Sequence, residues 1–155
     1  MSDFPKLVRT PLYRMNQWNV INRYGLFAVM TTERREIVIE GSADGQTWRE
    51  YEFHYKPGNL SNWHVPMLLN QPRLDWQMWF AALGTPRQNP WLSQLIEYLL
   101  QGDPRMNYFF LKNPFPDTPP KYLRAELYHY KLLPLSEHNV WRRESVGLYL
   151  PAISL

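Results

Sequence analysis

Four histidines, one aspartate set against a tryptophan, and tryptophans lying beside arginines are the side chains with which this sequence could do chemistry. A hydrolytic site would pair Asp75 with His54, His64, His129 or His138, one group orienting the other for proton transfer. The histidines lie in unrelated contexts, and none is spaced from another as metal ligands are. There is no Gly-x-Ser-x-Gly elbow, no phosphate loop and no dinucleotide fingerprint. With no cysteine, thiolate catalysis, disulfides and cysteine-held metals are excluded. The expectation is a protein that is not an enzyme and takes no cofactor and no metal. His54 and His129 fall on strand-like runs and read as surface or paired histidines. Asp75 has two readings: a buried acid with a raised pKa, or a helix-start carboxylate paired with Arg73. Asp44, inside a turn, reads as structural.

Binding chemistry is better represented. The 155 residues include 7 Trp, 10 Tyr and 7 Phe, more rings than a core of this size needs, so some should lie at the surface. Trp63 stands in a loop, with packing and binding both open to it. Trp141-Arg142-Arg143 puts a ring beside two guanidiniums, which suits either a protein-recognition patch or a charged edge strand that resists pairing. The formal charge of +3 is mild and interspersed with acids, so no nucleic-acid partner is expected. Asn59-Leu60-Ser61 is an acceptor sequence for N-glycosylation, a motif short enough to arise by chance.

The elements that must position these residues centre on Glu36 to Lys56. Ile37 and Ile39 share one parity, and Glu36, Val38 and Glu40 the other; Tyr51, Phe53 and Tyr55 alternate with Glu50, Glu52, His54 and Lys56. A period of two predicts a β-hairpin, with Asp44-Gly45 supplying the turn and Trp48 either folding over its end or sitting beside a bulge. Before it, residues 1–16 read as an arm or first edge strand, and 18–21 and 25–30 as strands; residues 60–72 read as a loop. Trp76, Trp79, Phe80 and Leu83 recur at i, i+3, i+4 and i+7, predicting a helix whose rings pack on the sheet, begun by Asp75 and stopped by Gly84. A second helix starts at Asn89-Pro90, runs along Trp91, Leu92, Leu95, Ile96, Leu99 and Leu100, and ends at Gly102. A short strand at 108–112, a proline-rich connection over 113–120, and strands at 122–133 and 140–150 complete the chain. The length suits a single domain spanning residues 1–155, and no apolar run is long enough to cross a membrane.

The sequence also resembles the C-terminal domain of the lipase maturation factor family. The likeness is carried by Tyr24-Gly25-Leu26-Phe27, Met30-Thr31, Glu36 to Ser42 with Asp44-Gly45 and Trp48, and Tyr55 to Ser61. Its longest block is Gln71-Pro72-Arg73-Leu74-Asp75-Trp76-Gln77-Met78-Trp79-Phe80-Ala81-Ala82-Leu83-Gly84, and it continues through Pro90-Trp91, Leu99 to Gly102, Pro119-Pro120 and Trp141-Arg142-Arg143. It implies an extramembrane domain of a polytopic protein of the endoplasmic reticulum that helps homodimeric secreted lipases fold and assemble. The multi-span membrane part is absent here, so membrane attachment is expected only through that missing portion; a relative on the extracytoplasmic face of a bacterial membrane is equally compatible. Gly41 to Trp48 is also similar to the hairpin of discoidin-type, galactose-binding-like domains, implying a mainly β, jelly-roll β-sandwich with the helical pair of about 73–102 set into it. The expected function is a non-enzymatic, chaperone-like protein-binding module. Its candidate contacts are Trp63, Trp141, Arg142 and Arg143, with Arg73 and Asp75 as an alternative cluster. The competing expectation is a module binding carbohydrate or lipid head groups through its end loops.

Overall fold

The computed structural model describes residues 34–61, 72–134 and 138–155. The arm at 1–16, the strands expected at 18–21 and 25–30, and most of the 60–72 loop with Trp63 and His64 lie outside them. The described chain is mainly β with antiparallel sheets and two helices. Its strands are β1 (Arg34–Ser42), β2 (Arg49–Glu50), β3 (Glu52–Phe53), β4 (Phe110–Lys112), β5 (Tyr122–Leu132) and β6 (Trp141–Ile153); its helices are α1 (Arg73–Ala81) and α2 (Trp91–Gln101). Strands β2-β1-β5-β6 form one sheet in that order, and β3-β4 a second, two-stranded one.

The hairpin forms, but its return strand is shorter than the alternation suggests. Only Glu40↔Glu50 and Gly41↔Arg49 pair, with the Tyr51 N–H donating to the Ile39 carbonyl at 2.9 Å. The chain then leaves the sheet, and β3 pairs with β4. The reason is aromatic: Phe110 sits 5.0 Å from the Tyr51 ring and 4.8 Å from Phe53, drawing both onto a cluster on the second sheet. The turn itself is as expected. Gly45 has φ +76°, and Asp44 accepts from the N–H groups of Gln46 (2.8 Å) and Thr47 (2.7 Å). Those bonds stabilise the carboxylate and hold its pKa well below the usual range.

β1 became a central strand, flanked by β2 and by nine residues of β5 in register from Arg34↔Tyr130 to Ser42↔Tyr122. Both of its faces are also buried from Glu36 onward. Ile37 and Ile39 join Leu123, Ala125 and Tyr149 in the hydrophobic core, roofed by Met78, Ala81 and Ala82 of α1 and by Leu92, Leu95, Ile96, Leu99 and Leu100 of α2. Glu36, Val38 and Glu40, on the other face, are buried too. At Gly41 a side chain would not fit: a Cβ there would lie 2.7 Å from the Phe115 ring and 3.2 Å from Pro120 Cβ. The proline-rich connection thus packs against β1 without pairing, as prolines require. β6 runs to Ile153, further than its sequence suggests, because its register slips on β5 near Gly147 and near Pro151 and absorbs both residues.

α2 follows its expected stripe and ends at Gly102 in the left-handed conformation, φ +70°. Asn89 does not cap it with its side chain; that amide donates instead to the Thr85 carbonyl (3.0 Å) and the Tyr149 hydroxyl (3.3 Å). α1 departs more sharply. Its buried residues are Asp75, Met78 and Ala81, not the aromatic stripe. Met78, Ala81 and Ala82 let the helix approach the sheet more closely than indoles would, so the large rings are turned away from the core.

Candidate functional site

The consequence is a ring surface on α1. Trp76 and Phe80 stack at 5.8 Å with planes 19° apart, and Trp79 lies 5.4 Å from each. The two indoles are half-buried, while Phe80 is 50% exposed and Leu83, just past the helix, 45%. Arg73, three residues before Trp76 on the same side, is exposed. Trp and Arg are enriched in protein-binding hot spots and Phe in interface cores, and the mutual ring contacts restrict the side chains, so less side-chain entropy is left to lose on binding. This surface was missed in the sequence because two stripes compete in one segment. The rings at 76, 79, 80 and 83 outweigh Met78, Ala81 and Ala82 by size, yet the small residues win the packing. The paired alanines were the available signal.

Asp75 anchors the helix from beneath. It is 1% exposed. The Tyr55 N–H donates to its Oδ1 at 3.0 Å, and its Oδ2 is buried with no partner. Burial raises its pKa against the opposing pull of the Tyr55 bond and the charges of Lys56 and His54. Of the two readings, the buried acid fits the geometry: Asp75 is enclosed and its bond goes to the Tyr55 N–H, with no ion pair to Arg73 among the described residues. Among the described residues no histidine hydrogen-bonds Asp75, so His54, His129 and His138 do not form the hydrolytic pair, and His64 lies outside them.

The opposite face of the large sheet holds a charged and aromatic network. Strand alternation splits the Trp141-Arg142-Arg143 triplet: Trp141 and Arg143 turn onto this face, while Arg142 is exposed on the other. Arg143 binds Glu50 with both nitrogens (3.0 Å for Nη1–Oε2), reaches the Tyr130 hydroxyl at 3.4 Å and lies 4.6 Å from the Tyr128 ring. Because Glu50 and Arg143 come from the two outermost strands of the order, this contact requires the sheet to coil and the face to be concave. Arg124 bridges Glu40 (2.6 Å) and Glu126 (3.3 Å) and stacks 4.3 Å from the Trp48 ring, which thereby covers the hairpin end. Desolvation nevertheless keeps the Glu40 pKa raised. Lys56 pairs with the fully buried Glu36, and Arg34 completes that carboxylate at 2.9 Å while lying 5.6 Å over Trp141. The Trp141 Nε1 is buried without a partner.

The predicted contacts thus separate. Arg73 and Asp75 lie on one helix, one exposed and one buried. Trp141 and Arg143 are engaged in the sheet network, Arg142 faces outward, and Trp63 is outside the described residues. Among the described residues no cluster of His, Asp and Glu could hold a metal, and no helix is long and apolar enough to cross a membrane.

Known proteins bear directly on this arrangement. The family profile described as the lipase maturation factor C-terminal domain matches residues 20–151. The chain is 48% identical over 141 residues to lipase maturation factor 2 of Mus musculus, covering 86% of this chain and 20% of that protein. To lipase maturation factor 2 of Homo sapiens it is 46% identical with the same coverage, and to lipase maturation factor 1 of Homo sapiens 36% identical over 90% of this chain and 27% of that protein. The chain therefore spans about a fifth to a quarter of the length of these relatives. No solved structure matches it. Over nearly all its length, with the α1 block inside the match, the chain belongs to the lipase maturation factor C-terminal domain family.

Proposed function

We propose that this chain is a protein-binding module that helps client proteins fold or assemble and catalyses no reaction of its own. The names of its relatives suggest lipases as clients, and the family resemblance narrows these to secreted homodimeric lipases. The observation that supports this reading is the α1 surface, where Trp76 stacks on Phe80 and Trp79 packs tilted against both, with their helix already anchored by Asp75, Met78 and Ala81. An immature partner exposes apolar surface; a rigid ring platform with Arg73 at one end offers it burial and orientation. Trp141 and Arg143 on one face of β6, Arg142 on the other, and Trp63 are further proposed contacts, and Asp75 acts by holding α1 rather than by touching the client. In this reading residues 1–155 make one jelly-roll-type β-sandwich domain. It works in the lumen of the endoplasmic reticulum or on the extracytoplasmic face of a bacterial membrane, and a membrane part outside this chain anchors it.

A carbohydrate- or head-group-binding module is the second reading. It is favoured by an open cleft of about 590 Å³ lined by Arg49, Glu50, Glu52, Lys112, Asn113 and Pro114. It ranks lower because its polar groups already satisfy one another: Glu50 is held by Arg143, and Lys112 lies 3.5 Å from Glu52. A ligand would have to replace those contacts at little net gain. Tryptophan fluorescence separates the two. A saturable change on adding a partly unfolded, Trp-free homodimeric lipase, with none from a sugar panel, supports the client reading; the reverse pattern overturns it.

A further inference from the structure

The turn at residues 58–61, after β3, contains a group prepared for covalent modification. Asn59 is exposed. Its Oδ1 accepts the Ser61 N–H at 3.1 Å and the Ser61 hydroxyl at 2.9 Å, while among the described residues no hydrogen bond engages its Nδ2. No other asparagine in the chain is followed two residues later by Ser or Thr. Two bonds to one amide oxygen favour negative charge there, which is where charge collects as Nδ2 gives up a proton. They therefore assist the one amide nitrogen that is free to act as a nucleophile.

The turn is also fixed in place. The Leu60 carbonyl accepts the N–H groups of Val140 (2.9 Å) and Trp141 (3.0 Å), and the Tyr130 hydroxyl donates to the Gly58 carbonyl at 3.3 Å. Asn59 thus projects from a turn tied to the start of β6, where a bulky polar substituent displaces nothing from the core.

We propose that Asn59 is an N-glycosylation site, an inference that rests on the lumenal placement of the chain in the reading above. The donor is an oligosaccharide linked to a lipid diphosphate. The Nδ2–C1 bond forms, the sugar C1–O bond breaks with its electron pair leaving on the lipid diphosphate, and the Nδ2 proton passes to a base of the transferase. The glycan then stands beside the N-terminal end of β6, next to Trp141 and Arg142, and narrows which partners can approach that end of the sheet.

The test is translation of the whole chain behind a cleavable signal sequence in microsomes, with a second acceptor sequence appended at the C-terminus to report translocation. The expected result is two glycans, both removed by an amidase specific for Asn-linked sugars. Asn59→Gln and Ser61→Ala should each leave one, and Ser61→Thr should keep two. One glycan on the unsubstituted chain, at the appended site alone, overturns the proposal. That outcome would leave the lumenal reading standing, since the appended glycan still reports translocation. Conversely, two glycans in microsomes but none on the chain from its own cells would refute the lumenal placement while upholding the acceptor chemistry of Asn59.

Discussion

A single buried carboxyl decides how α1 is seated. Asp75 was legible in the sequence as an acid against a tryptophan, but which of its two roles it takes depends on Tyr55, twenty residues earlier, whose N–H reaches it only in the folded chain. Burial raises its folded-state pKa above the ordinary 3.8, so the folded protein keeps this proton to higher pH than the unfolded chain. The resulting stability is complete below the ordinary value and is lost as pH rises through the raised one. Asp75→Asn retains an acceptor for the Tyr55 N–H and cannot titrate. Denaturant melts should therefore show Asp75→Asn gaining on the parent as pH rises from acid to neutral, while Asp75→Ala, which cannot titrate either, gains in parallel but sits about 1–3 kcal/mol below Asp75→Asn by stranding that N–H. The Glu36–Lys56 pair offers a second residue-scale prediction. Lys56→Met leaves Glu36 buried beside Arg34 alone and should cost about 3–5 kcal/mol, most of it recovered when Glu36→Gln is added. Nothing in the period-two pattern announced this pair, because alternation reports side-chain parity and says nothing of what covers the polar side.

Among the elements, local signals were read well wherever one residue type enforces one geometry. Gly45 and Gly102 take the positive φ their positions demand, and the leucines of α2 face the core at their expected spacing. Misreadings arose where two local patterns competed or where a distant strand intervened. The rings of α1 lost to Met78, Ala81 and Ala82, and the return strand of the hairpin was diverted by Phe110, nearly sixty residues away in sequence. Gly41 belongs to the same class. Nothing in its neighbourhood marked it as special, yet Phe115 occupies the space a side chain would need. Gly41→Ala should destabilise by about 1–3 kcal/mol, measured in urea, with Gly58→Ala, where none of the described residues lies within 4 Å of an added Cβ, as the mild comparison.

For the whole molecule, the two faces of the large sheet divide the labour. One face carries the helices and fixes α1 with its rings outward; the concave face spends its charged groups on one another. This division is why the α1 platform, rather than Trp141 and Arg143, is the main proposed contact, and it could not be read from the sequence, where both sets are Trp with an Arg within three residues. Since the rings lie outside the core, removing them should spare stability while removing binding. The direct test is a fluorescence titration of a dye-labelled, partly unfolded homodimeric lipase with the parent chain, Trp79→Ser and Phe80→Ser. Melting curves should confirm that all three are equally folded. The account predicts about thirtyfold or greater weakening in each variant, the loss expected of a hot-spot residue worth about 2 kcal/mol. Undiminished affinity in both folded variants would contradict it.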